Sequence, residues 1–160
     1  MNKTVKLQGH GFTLMELLIS VAIVAILTAI GVVSYSSVNK RARDAKRKSD
    51  IEQVRSALEI YRNDNEHYPG TAVGYIRLDT LDAQDGNPPL VPTYLPRFPM
   101  DPRSTSSTPI SYYYSPKGSG APPYYAYCLC GAVENAAEAN NSCPASMGKP
   151  ATTNYCVYSP

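Results

Sequence analysis

Residues 12–33, FTLMELLISVAIVAILTAIGVV, form an uninterrupted apolar run whose only charge is Glu16. As a helix it extends about 33 Å at roughly 1.5 Å per residue, which matches a hydrocarbon core about 30 Å thick. A bilayer offers no water to the backbone, so the segment must satisfy its own hydrogen bonds as a helix. Two ordinary explanations fall short. A secretory signal peptide has an apolar region of about 7–15 residues closed by a small-residue cleavage site; this run is longer and passes without a break into a helical pattern. A plain single-span anchor explains the hydrophobicity but not Glu16. A carboxylate inside an apolar span is unfavourable, is by default a functional feature, and needs a partner.

The run follows a short polar stretch, MNKTVKLQGHG, with Lys3 and Lys6. Across the junction, Gly11-Phe12-Thr13-Leu14-Met15-Glu16-Leu17 resembles the processing motif of type IV prepilins and type II secretion pseudopilins. The resemblance implies that residues 1–11 are a leader. It also implies that a membrane-embedded prepilin peptidase cuts between Gly11 and Phe12 and methylates the new amino terminus. Glu16 matches the family's assembly glutamate. On a neighbouring subunit it would face the Phe12 ammonium in a low-dielectric core, where attraction is far stronger than in water. His10 lies in the leader and is not read as a ligand. Lys40, Arg41, Arg43, Lys46, Arg47 and Lys48 follow the span, and by the positive-inside rule they would place the C-terminal part inside the cell. The resemblance implies the opposite, leader inside and domain outside, and its motif is the more specific signal.

All 14 prolines lie at or after Pro69, and of 13 tyrosines only Tyr35 and Tyr61 precede residue 68. The chain therefore divides into a proline-free helical part and a loop- and strand-rich part. Ile51, Val54, Leu58 and Tyr61 recur at spacings of three and four, one helix face, and Val38, Ala42 and Ala45 read as its backward extension. A single helix from about Phe12 to about Asn65 is expected, roughly 80 Å long, ended by Pro69 and Gly70. The basic run 40–48 reads as a solvated face or as contacts with acidic groups of neighbouring subunits. Its sharper reading is DNA or an anionic surface. Residues 64–160 hold five basic and eight acidic residues, which favours subunit contacts. No aromatic residues interleave the run, which weakens a single-stranded nucleic-acid reading.

In the C-terminal part, ISYYYS (110–115) and PYYAYCLC (123–130) flank the turn PKGSGAP and predict a hairpin, with TNYCVY (153–158) as a third strand. Tyrosine suits a sheet with one wetted face. GAVENAAEAN (131–140) reads as a short helix or surface excursion. YLPRFPMDP (94–102) resembles the loop before the sheet in pilins and pseudopilins. Cys128, Cys130, Cys143 and Cys156 suit disulfides in an oxidising compartment. Cys128 and Cys130 share a strand face, so each can bridge to the tail, but four cysteines allow three pairings. Their spacing is poor for a zinc site, and no C-x-x-C supports redox catalysis.

Outside the leader only His67 remains among histidines, and no nucleophile motif or phosphate-cradling loop is present, so no enzymatic activity, cofactor or metal is expected. Some type II secretion pseudopilins hold calcium in a loop after the helix. Asp79, Asp82, Asp85 and Asp101 are the candidate ligands here, although the aromatic-glycine-asparagine pattern is missing after Asp101-Pro102. Asn140-Asn141-Ser142 matches a glycosylation acceptor, a weak pattern.

The expected fold is α+β and pilin-like: a long N-terminal helix, apolar then amphipathic, packed on a small antiparallel sheet. The expected division is a cleaved leader (1–11), a transmembrane and filament-core helix (12–34), its amphipathic continuation (35–67) and a cysteine-stapled globular domain (68–160). The expected function is a type IV pilus-like structural subunit, made in the inner, cytoplasmic membrane with its domain outside and then polymerised into an extracellular or periplasmic filament. Its partners would be copies of itself, the lipid bilayer before assembly, prepilin peptidase, a membrane platform and an assembly ATPase. The disulfide tail leans toward a pilus, and YLPRFPMDP leans toward a secretion or competence pseudopilin, the alternative. A further rival is a single-span protein with an external binding domain that never polymerises.

Overall fold

The computed structural model describes residues 11–70, 74–82, 88–105, 107–117, 123–144, 147 and 150–159. Contacts divide the chain into two units, 1–39 and 40–160. Helix α1, Leu14–Asn65, is continuous for 52 residues. In the first unit every described residue from 11 to 32 is exposed. By length and composition α1 is apolar enough there to cross a membrane.

In the second unit α1 is amphipathic. Ile51, Val54, Leu58 and Tyr61 are fully buried, as their spacing predicts. Burying apolar side chains of this size contributes roughly 1.5–3 kcal/mol each. The backward extension is different from expectation: Val38, Ala42 and Ala45 are exposed, whereas Asp44, Arg47 and Asp50 are buried. The inward stripe thus steps back from Ile51 to Arg47 and Asp44, and there the helix docks through charge instead of aliphatic packing. The helix ends where Glu66 turns to φ 65, with its N–H still bonded to the Arg62 carbonyl at 2.8 Å.

Among the described residues the sheet has five strands: β1 (Ile76–Arg77), β2 (Tyr113–Lys117), β3 (Ala126–Gly131), β4 (Asn140–Asn141) and β5 (Tyr155–Ser159), in the order β1-β2-β3-β5-β4. The β1/β2, β2/β3 and β3/β5 pairs are antiparallel, but β4 runs parallel to β5, so the sheet is mixed and not purely antiparallel. Strand β2 also runs through Pro116 and Lys117, which sequence assigns to the turn. Proline is tolerated because β1 pairs only with Tyr113 and Tyr114, leaving Pro116 beyond its end with no ladder partner on that side. The excursion 131–140 holds one 3-10 turn, Ala136–Glu138, started by the Asn135 side chain accepting from the Ala137 N–H.

Alternation along β3 decides the two faces. Tyr127 and Leu129 join the main core with Tyr68, Tyr112, Tyr114 and Tyr124, all buried to within 2%. Cys128 and Cys130 point into a second cluster with Cys143 and Cys156. These core tyrosines do not sit on a wetted face. With no tryptophan and two phenylalanines in the chain, tyrosine supplies the core's aromatic bulk. Several hydroxyls reach carboxylates of α1. Tyr112 donates to Asp50 at 2.9 Å, and Tyr68 and Tyr127 donate to Glu59 at 3.0 and 3.3 Å. Burial, then the Asp50 carboxylate, pushes the Tyr112 hydroxyl well above the usual tyrosine range, so it stays a donor. Gly131 leaves room where helix and sheet meet: a Cβ there would lie 3.1 Å from both Ile51 Cδ1 and Tyr112 Cδ1.

Candidate functional site

The first site residues stand at the start of α1. Phe12 is 91% exposed. Residues 1–10, including His10, lie outside the described residues. Thr13 and Glu16 form a reciprocal capping box. The Thr13 N–H and hydroxyl donate to Glu16 Oε2 at 2.9 and 2.8 Å, and the Glu16 N–H donates to Thr13 Oγ1 at 3.2 Å. Both bonds to the carboxylate fall on Oε2, and a carboxylate has capacity for about four. Glu16 is therefore a helix cap with room for a further donor. The T-x-x-E spacing before an apolar run carries this signal in the sequence.

The second assembly of polar groups clamps α1 within the second unit. Arg47 is 2% exposed and grips Asp101 with two bonds, Nε to Oδ2 at 2.6 Å and Nη2 to Oδ1 at 3.0 Å. Its Nη1 also donates to Asp44 at 2.7 Å and Glu134 at 3.0 Å. Asp44 accepts the backbone N–H groups of Glu134 and Asn135, both at 2.9 Å. Arg43 adds a two-bond grip on Glu134, each at 2.7 Å, and Arg103 lies 3.8 Å from the same carboxylate. Three cations thus meet three anions. Asp101 holds Arg47 firmly charged, outweighing burial. Burial alone would raise Asp44, but the Glu134 and Asn135 N–H groups and Arg47 outweigh it and leave it below the usual range. The Arg43 guanidinium, then Arg47, pulls Glu134 down to about 2.

A depressed carboxylate stabilises the fold above its unfolded pKa, and that contribution is lost as pH falls through the folded value. For Glu134 the window runs from 4.5 down to about 2, and Asp44 acts in the same direction below 3.8. Thermal midpoints are therefore expected to fall on acidification through this range, and E134Q should flatten part of that slope. An identical acid slope in E134Q would locate the acid sensitivity elsewhere.

These contacts also dispose of most of the basic run. Arg43 and Arg47 are engaged as above, Lys46 pairs with Asp50 at 2.5 Å, and Lys48 pairs with Glu138 at 2.6 Å while lying 5.4 Å from the Tyr155 ring centre. The acidic partners belong to the same chain, not to a neighbour, and a nucleic acid would have to displace them.

Cys128 bonds to Cys143 and Cys130 to Cys156, with Cα separations of 5.9 and 4.1 Å, so β3 is joined twice to the tail. The sulfurs of Cys128, Cys130 and Cys143 lie within 4.8 Å of one another. They are disulfide sulfurs and not the thiolates that zinc requires. The calcium candidates do not converge. Asp101 holds Arg47, Asp79 holds Arg77 at 2.6 Å, Asp82 accepts the Leu90 and Val91 N–H groups at 2.7 and 3.0 Å, and Asp85 is outside the described residues. The described carboxylates do not fit a calcium site. His67 sets Nδ1 3.0 Å from the Tyr68 carbonyl, beside the Tyr61 ring.

The prokaryotic N-terminal methylation motif matches residues 8–32, and the family described as type II secretion system (T2SS), protein G, matches residues 34–137. Type II secretion system core protein G of Escherichia coli is 34% identical over 98 residues, covering 58% of this chain and 66% of that protein. Its counterpart in Pectobacterium carotovorum subsp. carotovorum is also 34% identical over 98 residues, covering 60% and 63%. That of Pseudomonas aeruginosa is 35% identical over 99 residues, covering 59% and 68%. The chain thus spans slightly less than two thirds of the first two relatives. No solved structure matches. Residues 138–160, with β4, β5, Cys143 and Cys156, lie beyond the family match.

Proposed function

The chain belongs to the type II secretion system protein G family, and from that premise we propose that it is a structural pseudopilin subunit and not an enzyme. It is processed between Gly11 and Phe12, held in the cytoplasmic membrane by residues 12–34 with its domain outside, and polymerised into a secretion filament. The type IV pilus, first choice on sequence alone, gives way to the secretion alternative. The observation that carries this is the protein G match over 34–137, adjoining a methylation motif on one 52-residue helix. Exposed apolar side chains along 14–32 support the assembly step, because subunit packing can replace lipid contact there. Copies of the chain, a prepilin peptidase, a membrane platform and an assembly ATPase are the partners this reading requires.

Intact mass and N-terminal sequencing of protein from its native membrane should give a start at Phe12 with one added methyl. Deleting the gene should remove exported proteins from the medium while leaving surface pili in place. A start at Met1 with the peptidase present sinks the filament reading. Loss of pili with unchanged export would return the chain to the pilus class.

A further inference from the structure

A structural divalent cation gathers oxygen ligands from separate chain segments and cancels their charge. In the second unit a side chain does this work. We propose that Arg47 is a built-in substitute for a structural cation, so that the domain reaches and keeps its fold without a divalent metal. Four carboxylate oxygens meet this guanidinium at 2.6–3.0 Å: two from Asp101, one from Asp44 and one from Glu134. They come from helix α1, from the loop at 101–103 and from the segment after β3. The Arg103 N–H also donates to Asp101 Oδ1 at 2.8 Å, and the Glu134 and Asn135 N–H groups donate to Asp44, so the same carboxylates order both loops.

Charge and chemistry both favour the guanidinium over a metal here. Asp44, Asp101 and Glu134 are balanced by Arg43, Arg47 and Arg103, which leaves no net negative charge to draw a divalent ion. A metal at Asp101 would have to displace a buried, two-bond arginine. Arginine carries five fixed donors and keeps its proton at any physiological pH, so the clamp is always charged. Asp79 and Asp82 are engaged with Arg77 and with backbone N–H groups. The inference concerns folding alone and stands whether the filament serves secretion or not.

The test uses the full chain in detergent, with thermal unfolding followed by near-ultraviolet tyrosine circular dichroism in excess chelator and in millimolar calcium. The two midpoints should coincide within about 1 °C, because a ligand that does not bind the native state cannot raise its midpoint. R47A should lower the midpoint by about 10 °C or more in both conditions, since it leaves buried carboxylates unpaired. A rise of about 5 °C or more in the wild-type midpoint with calcium would overturn the proposal, and so would an R47A midpoint equal to wild type. If R47A does not fold, the wild-type comparison still decides.

Discussion

Changing Glu16 to glutamine is expected to leave leader cleavage and membrane insertion near wild-type levels while filament incorporation falls at least about tenfold. Glutamine keeps the length of the side chain and an oxygen that can accept from Thr13, so the start of α1 stays capped as it is now at 2.8–2.9 Å. What it removes is the charge. In a membrane or filament core a carboxylate without a counter-charge is unfavourable, and under the proposed processing, cleavage after Gly11 would supply one, the Phe12 ammonium of another subunit. E16A removes both cap and charge and should be at least as defective. The two variants therefore separate the roles. The filament-associated and membrane-associated fractions, compared after shearing by immunoblot, are the readout. Wild-type incorporation by E16Q together with failure of E16A would mean that the cap, and not the ion pair, is what assembly uses.

Much of the architecture is legible in the sequence because it follows from composition and period. Absence of proline before residue 69, an apolar run long enough for a bilayer and the 51/54/58/61 stripe together require one long helix with two environments. The strands around 113, 126 and 155 follow from tyrosine-rich runs bounded by glycine and proline. The clamp is harder to read, because hydrophobic periodicity scores a charged residue as outward-facing. Stepping back from Ile51 by four and then three lands on Arg47 and Asp44, both buried, whereas the apolar alternative, Val38, Ala42 and Ala45, is exposed. Nothing local at Asp101 or Glu134 announces that they will meet Arg47, since they lie 54 and 87 residues away. The disulfide pairing is of the same kind. Sequence places Cys128 and Cys130 on one strand face, but only the β3/β5 register, with Cys130 opposite Cys156, selects between tail partners.

Removing both disulfides is expected to detach the tail from the sheet and to cost the domain most of its stability. The loops they close are 15 and 26 residues long, for which chain entropy gives about 3 and about 3.5 kcal/mol respectively. Together these approach the whole margin of a small domain, about 5–15 kcal/mol. The tail offers little to compensate. Strand β4 is two exposed residues, and β5 has β3 as its one long partner. If β5 leaves, the edge of β3 opens, and an exposed strand edge is a template for aggregation. Reduction itself should be slow in the native state, because Cys128, Cys130 and Cys156 are fully buried, so reductant must wait for the sheet to open. The quadruple alanine variant avoids that kinetic barrier. Its expected behaviour is protease cleavage after residue 131 and aggregation at temperatures where the oxidised protein is intact. A quadruple variant that melts with the wild type would show that β5 is held by its backbone ladder alone. In that case the cysteines would contribute no measurable stability to this domain.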